Sequence, residues 1–141
     1  MRPSYFYDIL STDSVLNGLG IDGTKIAEAQ SEDERPMNEG LFIIISFDET
    51  DYFVAGIDRG PRIMQMAVHQ PWDETRDYDG INKVLNRIHQ LISVTDQGTG
   101  NDGVRVSQVR RRMRSGNQVD EGWRTITRWE TYGVLYDELA V

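Results

Sequence analysis

Arginines crowd the stretch between residues 105 and 128, and they are the residues of this sequence best suited to charged recognition. A guanidinium group pairs with a carboxylate through two parallel hydrogen bonds, which makes arginine common where proteins meet each other. Three interpretations are open: a solvated strand end, a contact with another subunit, or a surface for nucleic acid. The residues predicted for a subunit contact are Arg105, Arg110, Arg111, Arg112, Arg114, Arg124 and Arg128.

A second candidate is an acidic turn at the end of the most apolar segment. Asp48, Glu49 and Asp51 follow the run 41–47, a position at which many enzymes place catalytic carboxylates. No partner base and no phosphate-binding loop accompanies them, so a solvated turn is the simpler interpretation. An enzyme or ligand-binding domain built on this turn would need a concave apolar pocket next to Asp48.

Two further patterns carry little chemistry. The segment 18–23 matches the glycine signature of dinucleotide-binding folds, but it follows an amphipathic segment where that signature requires a buried strand. His69 and His89 are the only histidines, and neither has another histidine or a cysteine three or four residues away. We therefore predict no catalytic residues, no metal site and no cofactor.

The composition excludes several classes of protein. With 141 residues the chain has room for a single domain, 1–141. It contains no cysteine, which rules out disulfides, thiolate catalysis and cysteine-based zinc sites. Asp and Glu number 23 against 15 Lys and Arg, and the net charge of -8 argues against wholesale binding to nucleic acid. No apolar run is long enough to span a membrane, so we expect no membrane association.

Hydrophobic periodicity predicts an α+β fold, in which two main helices pack on a mostly antiparallel four-stranded sheet. The segment 5–19 is predicted to form one amphipathic helix or two short ones, and a second helix spans 81–92 after a cap at Asp77 or Asp79. A long polar surface loop is expected over about residues 20–40. The strands are predicted at 41–47, 62–70, 104–110 and 123–136.

Taken in order, these elements resemble the tail terminator family of long-tailed bacteriophages. The likeness lies in the order and spacing of the elements over most of the chain, not in a specific motif. It is carried by the N-terminal helix, 42–45 (FIII), 66–71 (MAVHQP), 78–81 (YDGI) and 123–132 (WRTITRWETY).

The resemblance implies a structural virion protein without catalytic activity. Members of this family form a hexameric ring that caps the tail tube, ends tube polymerisation and provides the surface to which the filled head attaches. The implied partners are further copies of the chain, the major tail tube protein and a head-completion or neck protein, while DNA passes through the ring without specific binding. The implied location is the neck of the virion, after assembly in the host cytoplasm.

The two ends of the chain differ in charge, which suits such a ring. Residues 1–51 hold eleven acidic and three basic residues, whereas residues 103–141 hold seven arginines and five acidic residues. Opposite potentials can fix the register of a head-to-tail contact. We expect the arginines to face neighbouring subunits and Asp48, Glu49 and Asp51 to face the channel, where acidic groups let DNA slide.

Three other functions are compatible with the sequence. The chain could be another neck component, such as a head-completion or minor tail protein. It could be a small ligand-binding domain or an enzyme that uses the acidic turn. It could also be a monomeric adaptor whose 110–114 segment docks on an acidic partner.

Overall fold

The computed structural model describes residues 4–28, 35, 37, 39–47, 61–93 and 98–136. Within them, helices pack on one face of a mostly antiparallel sheet, so the α+β prediction is confirmed. The helices are α1 (Tyr5–Ser11), α2 (Ser14–Gly18) and α3 (Asp79–Ser93). The strands are β1 (Ile26–Glu28), β2 (Phe42–Phe47), β3 (Pro61–Pro71), β4 (Val106–Arg114), β5 (Gln118–Asp120) and β6 (Thr125–Tyr136).

Strand pairing places β1 and β4 at opposite edges of the sheet. The order is β1-β2-β3-β6-β4, with β1 parallel to β2 and the other pairs antiparallel. The longest pairing joins β3 to β6, from Pro61 opposite Leu135 to Pro71 opposite Thr125. β5 pairs with the first residues of β6. Since β3 occupies the other side of β6, β4 and β5 lie end to end and form one interrupted edge.

Alternation along the strands sends side chains to two different faces of the sheet. Met64, Met66 and Val68 of β3 belong to the core between sheet and helices. β2 is buried on both faces, because Ile43, Ile45 and Phe47 join this core while Phe42 and Ile44 face away from it. The apolar positions of α3 form one stripe that faces the sheet; they are Ile81, Val84, Leu85, Ile88 and Ile92, all fully buried.

The N-terminal helical segment divides at Asp13, so the two-helix form of the prediction is confirmed. The Asp13 carboxylate accepts a hydrogen bond from the Leu16 backbone amide at 3.0 Å and caps α2. It also binds the Arg87 guanidinium of α3 through two contacts of 2.7 and 3.0 Å. These hydrogen bonds from Arg87 hold the pKa of Asp13 below its usual value, so the ion pair fastens α2 to α3 at neutral pH.

A loop of residues 98–104 packs tightly against the start of α1. The Ser4 backbone amide donates to the Asp102 carboxylate, and the Asn101 amide donates to the Asp8 carboxylate, both at 2.8 Å. Gly100 lies so close to α1 that a Cβ at this position would be 2.5 Å from the Tyr5 backbone nitrogen. Only glycine therefore fits the contact between the loop and the helix.

The predicted four-stranded sheet is wrong in strand number, since the described residues form six strands. The additional strands β1 and β5 have three residues each, which is too short to show a period of two. β1 also lies within the predicted polar loop, together with a 3-10 turn at Gly23–Lys25. Ile26 becomes a strand residue because it pairs with Ile43, and such a tertiary contact is not visible in the local sequence.

Candidate functional site

The sheet face opposite the helices, here called the open face, is apolar at its centre. Phe42, Ile44 and Ala67 form a buried cluster there, and Trp123 and Trp129 pack against it while partly exposed. None of α1, α2 and α3 contributes to this cluster. Among the described residues, no helix covers the open face. Met37, from the segment before β2, packs against the cluster, and the Arg35 guanidinium donates to the Trp123 carbonyl at 2.9 Å.

A concavity of about 640 Å³, here called the hollow, opens on this face. Its floor consists of sheet residues such as Ile44, Ala67 and Thr127, and its wall includes residues of the segment 118–123. Asp120 and Glu121 are the charged residues that line it. The Asp120 carboxylate accepts a hydrogen bond of 2.9 Å from the backbone amide of Trp123, which orders the wall and leaves the hollow with an acidic lining.

His69 lies beside the aromatic residues of the hollow and is neutral at pH 7. Its ring stacks on Phe42 with centroids 5.1 Å apart, and it lies 5.2 Å from the Trp123 ring. The His69 Nδ1 atom shares a hydrogen bond of 2.9 Å with the Thr125 hydroxyl. Burial lowers the pKa of His69 to about 4, although the Asp120 carboxylate acts in the opposite direction. His69 therefore adds no positive charge to the hollow at neutral pH.

Two of the arginines predicted for a subunit contact bind a buried glutamate of the same chain. Glu130 is fully buried, and its Oε1 atom lies 2.5 Å from Arg114 Nε and 3.4 Å from Arg111 Nη1. Its Oε2 atom accepts a hydrogen bond from the Tyr132 hydroxyl. Burial and this hydrogen bond raise the pKa of Tyr132. Arg111 and Arg114 thus compensate an internal charge.

Arg128 also has an internal role. Its Nε and Nη2 atoms donate to the Ser115 carbonyl at 3.0 and 2.7 Å, and its Nη1 atom donates to the Asn82 side chain of α3 at 2.5 Å. Ser115 lies between β4 and β5. Arg128 therefore connects the segment between β4 and β5 with helix α3 through hydrogen bonds.

The remaining four predicted arginines, Arg105, Arg110, Arg112 and Arg124, are exposed. Arg110 donates to the side-chain oxygen of Gln108 at 2.8 and 3.0 Å, in the amide orientation that satisfies both groups. The Arg112 Cδ atom lies 3.9 Å from the position that a Cβ of Gly133 would occupy. Because the neighbours of Gly133 in β6 face the helices, Arg112 lies on the open-face side of the β4 edge.

Arg124 occupies a special place at the start of β6. Its φ of 57° is in the left-handed region, and its carbonyl accepts a hydrogen bond from the Trp72 amide at 3.0 Å. The structure thus does not bring the seven predicted arginines together as one surface. The predicted channel residues Asp48, Glu49 and Asp51 lie outside the described residues.

Glu130 and the hollow were not predicted from the sequence, although both leave a signal in it. Glu130 is the one acidic residue among the alternate positions of β6 that face the helices, where Ile126, Tyr132 and Val134 are apolar. A carboxylate at such a position requires a cationic partner. The hollow has two tryptophans of the predicted last strand in its lining, but its wall depends on β5, which was not predicted.

Other kinds of site find no support in the described part of the chain. There, no group of three or more His, Asp or Glu residues could hold a metal ion, and no helix is long and apolar enough to cross a membrane. No protein-family model matches the chain, and no curated protein matches it significantly. Function must therefore be inferred from the surfaces described above.

Proposed function

We propose that the chain is a structural subunit that assembles head to tail into a hexameric ring, as the tail terminator of a long-tailed bacteriophage. The ring would cap the tail tube, end its polymerisation and offer an attachment surface to the head. The observation that carries the proposal is that one subunit has two surfaces of different chemistry: the aromatic open face, which no helix of the described residues covers, and the edge strand β4 with its exposed arginines.

These two surfaces differ in direction and in chemistry. The β4 edge points sideways from the sheet, whereas the open face is perpendicular to it, so one subunit can contact two neighbours at once. A contact between two different surfaces is heterologous. It produces a closed ring when the repeated rotation from one copy to the next returns to the first copy. Arg110 and Arg112 supply positive charge at the edge, and Asp120 and Glu121 supply negative charge on the face. Such complementarity suppresses wrong pairings.

The further parts of the proposal concern the partners of the ring. One rim would bind the major tail tube protein and the other a head-completion or neck protein. Asp48, Glu49 and Asp51 are proposed to face the channel, where acidic groups would let DNA pass without specific binding. No catalytic step is part of this function.

The proposal is tested by measuring the mass of the purified full chain, alone and mixed with major tail tube protein, by native mass spectrometry. We expect a hexamer in at least one of the two samples. Changing Arg110 and Arg112 together to Glu should weaken it, whereas Lys83→Glu on the helix side, where Lys83 pairs with Asp79, should leave it intact. Arg111 is unsuitable for this test because it contacts Glu130. A monomer in both samples would refute the proposal.

A second candidate function, a ligand-binding domain, is favoured by the hollow itself. Its volume of about 640 Å³ is that of a small-molecule site. Ser46, which lines it, lies two residues before Asp48 of the acidic turn. This candidate differs from the ring in its expected mass, since the chain would stay a monomer or dimer with or without tube protein.

A further inference from the structure

We propose that the hollow receives the guanidinium group of Arg112 from a neighbouring copy of the chain, an inference that rests on the ring proposed above. The hollow would then be the socket of each subunit contact, and Arg112 the residue that fills it. This assigns the contact to one side chain on the edge and one site on the open face.

The lining of the hollow suits a cation. Its charged lining residues are Asp120 and Glu121, and the nearby His69 is neutral. The chain's own cation beside the hollow, Arg35, donates to the Trp123 carbonyl. Trp123 and Trp129 add indole rings, whose faces attract cations and stack well on the flat guanidinium group. A lysine side chain could not stack on the indole rings, so arginine is favoured as the occupant.

Arg112 is the arginine on β4 that is best placed to leave its own subunit. Arg111 and Arg114 bind Glu130, and Arg110 is held by Gln108. Arg112 is exposed, and within the described residues its guanidinium forms no ion pair. It also lies beside Met113, a residue that is 55% exposed. A cation next to an exposed apolar side chain matches a hollow that is acidic at its wall and apolar at its floor.

The contact is tested by exchanging its charges. We expect Arg112→Glu and Glu121→Arg each to raise the dissociation constant of the ring about tenfold or more, because like charges would face each other. The double variant should return to within about threefold of the original value, because the pair is restored with reversed signs. Mass photometry over a dilution series gives these constants, and circular dichroism verifies that each variant is folded.

Two variants separate this contact from a general effect of charge. Trp129→Leu keeps an apolar side chain but removes the indole face, and it should weaken the ring without changing the net charge. Lys83→Glu changes the charge of the chain by as much as Arg112→Glu, but on α3, and it should have no effect on the dissociation constant. An equal loss of assembly in Lys83→Glu and Arg112→Glu would refute a specific contact.

The outcomes also distinguish a failure of the proposed Arg112 contact from a failure of the proposed ring. A ring that withstands Arg112→Glu, or one that is restored by Glu28→Arg on β1 rather than by Glu121→Arg, would refute the socket and leave the proposed function standing. A dimer that responds to the exchange with Glu121 would support the socket and refute the ring. A chain that stays monomeric with and without tube protein would refute both.

Discussion

At the level of single residues, Glu130 holds together side chains from two strands. The carboxylate is fully buried, and it is stabilised by Arg114 and Arg111 of β4 and by the Tyr132 hydroxyl of its own strand. A buried ion pair of this kind contributes little more net stability than apolar residues of the same volume would. Removing one partner is nevertheless costly, because the other charge then stays buried without compensation. The cluster fixes β4 against β6 at the end where the edge is interrupted.

We expect Glu130→Ala to lower the free energy of unfolding by about 3 kcal/mol, because it leaves the Arg114 charge and the Tyr132 hydroxyl without their acceptor. Urea denaturation followed by circular dichroism at pH 7 measures this loss. Arg111→Ala is the matched control: this side chain is 43% exposed, and its removal should cost less than about 1 kcal/mol. Similar losses in the two variants would contradict the central role of Glu130.

His69 makes stability depend on pH. In the folded chain its pKa is about 4, whereas the unfolded histidine titrates near 6.5. Between these values the unfolded state binds a proton that the folded state does not, so the free energy of unfolding falls as the pH is lowered. The loss due to His69 reaches about 3 kcal/mol at pH 4.

The pH effect is measured by urea denaturation between pH 7 and pH 5, where we expect His69→Gln to flatten the decline. His89 acts in the same direction, because partial burial and the nearby Arg111 lower its pKa as well. His89→Gln is therefore the control, and it should retain the larger part of the decline. If both variants reduced the decline equally, the buried position of His69 would not be its cause.

At the level of secondary structure, the elements that could be predicted are those with enough residues to show a period. α3 has its apolar residues at helical spacing, β3 alternates from Met64 to Val68, and β2 is apolar except at Ser46. β1 and β5 have no such pattern, because their strand geometry comes from pairing with β2 and β6. The number of strands was wrong for this reason.

The candidate site could be predicted only in part for the same reason. Trp123 and Trp129 both pack on the open-face cluster, and His69, two residues after Ala67 on β3, lies beside them. That these residues meet depends on the register of β3 and β6, which alternation does not specify. The internal partners of Arg111, Arg114 and Arg128 likewise arise from long-range contacts.

The close contact between the 98–104 loop and α1 gives a prediction for these two segments. We expect Gly100→Ala to lower the free energy of unfolding by about 2 kcal/mol, because the added Cβ forces the loop away from Tyr5. Thermal unfolding measures the change. Gly116→Ala is the control, since a Cβ there would meet no atom within 4 Å, and it should have almost no effect. A comparable loss at Gly116 would contradict the steric cause.

At the level of the whole molecule, the net charge of -8 opposes association between copies. The proposed assembly therefore requires local pairing of opposite charges, such as the contact proposed between Arg112 and the hollow. Because of the same net charge, we expect no wholesale binding to nucleic acid in spite of the arginines on β4.

We expect the ring to respond to salt. Raising the ionic strength from about 0.1 M to about 1 M shortens the screening length from about 10 Å to about 3 Å and should raise the dissociation constant of the ring. Sedimentation velocity at several NaCl concentrations measures this dependence. In the double variant of Arg112→Glu and Glu121→Arg the dependence should persist, because the pair is kept. A ring that becomes tighter with salt would contradict this prediction, because the screened repulsion between the acidic subunits would then outweigh the screened attraction of the charge pairs.

The irregular edge formed by β4 and β5 has a consequence for how the free subunit behaves before it meets its partners. An exposed strand is a template on which further chains can add and grow into fibrils. Here the register of β4 shifts twice, between Val106 and Gln108 and between Arg111 and Met113. The edge also carries like-charged arginines and breaks at Ser115. A second strand could form few successive backbone hydrogen bonds with this edge, so the edge is protected from amyloid-like growth. Its side chains can still contact a partner.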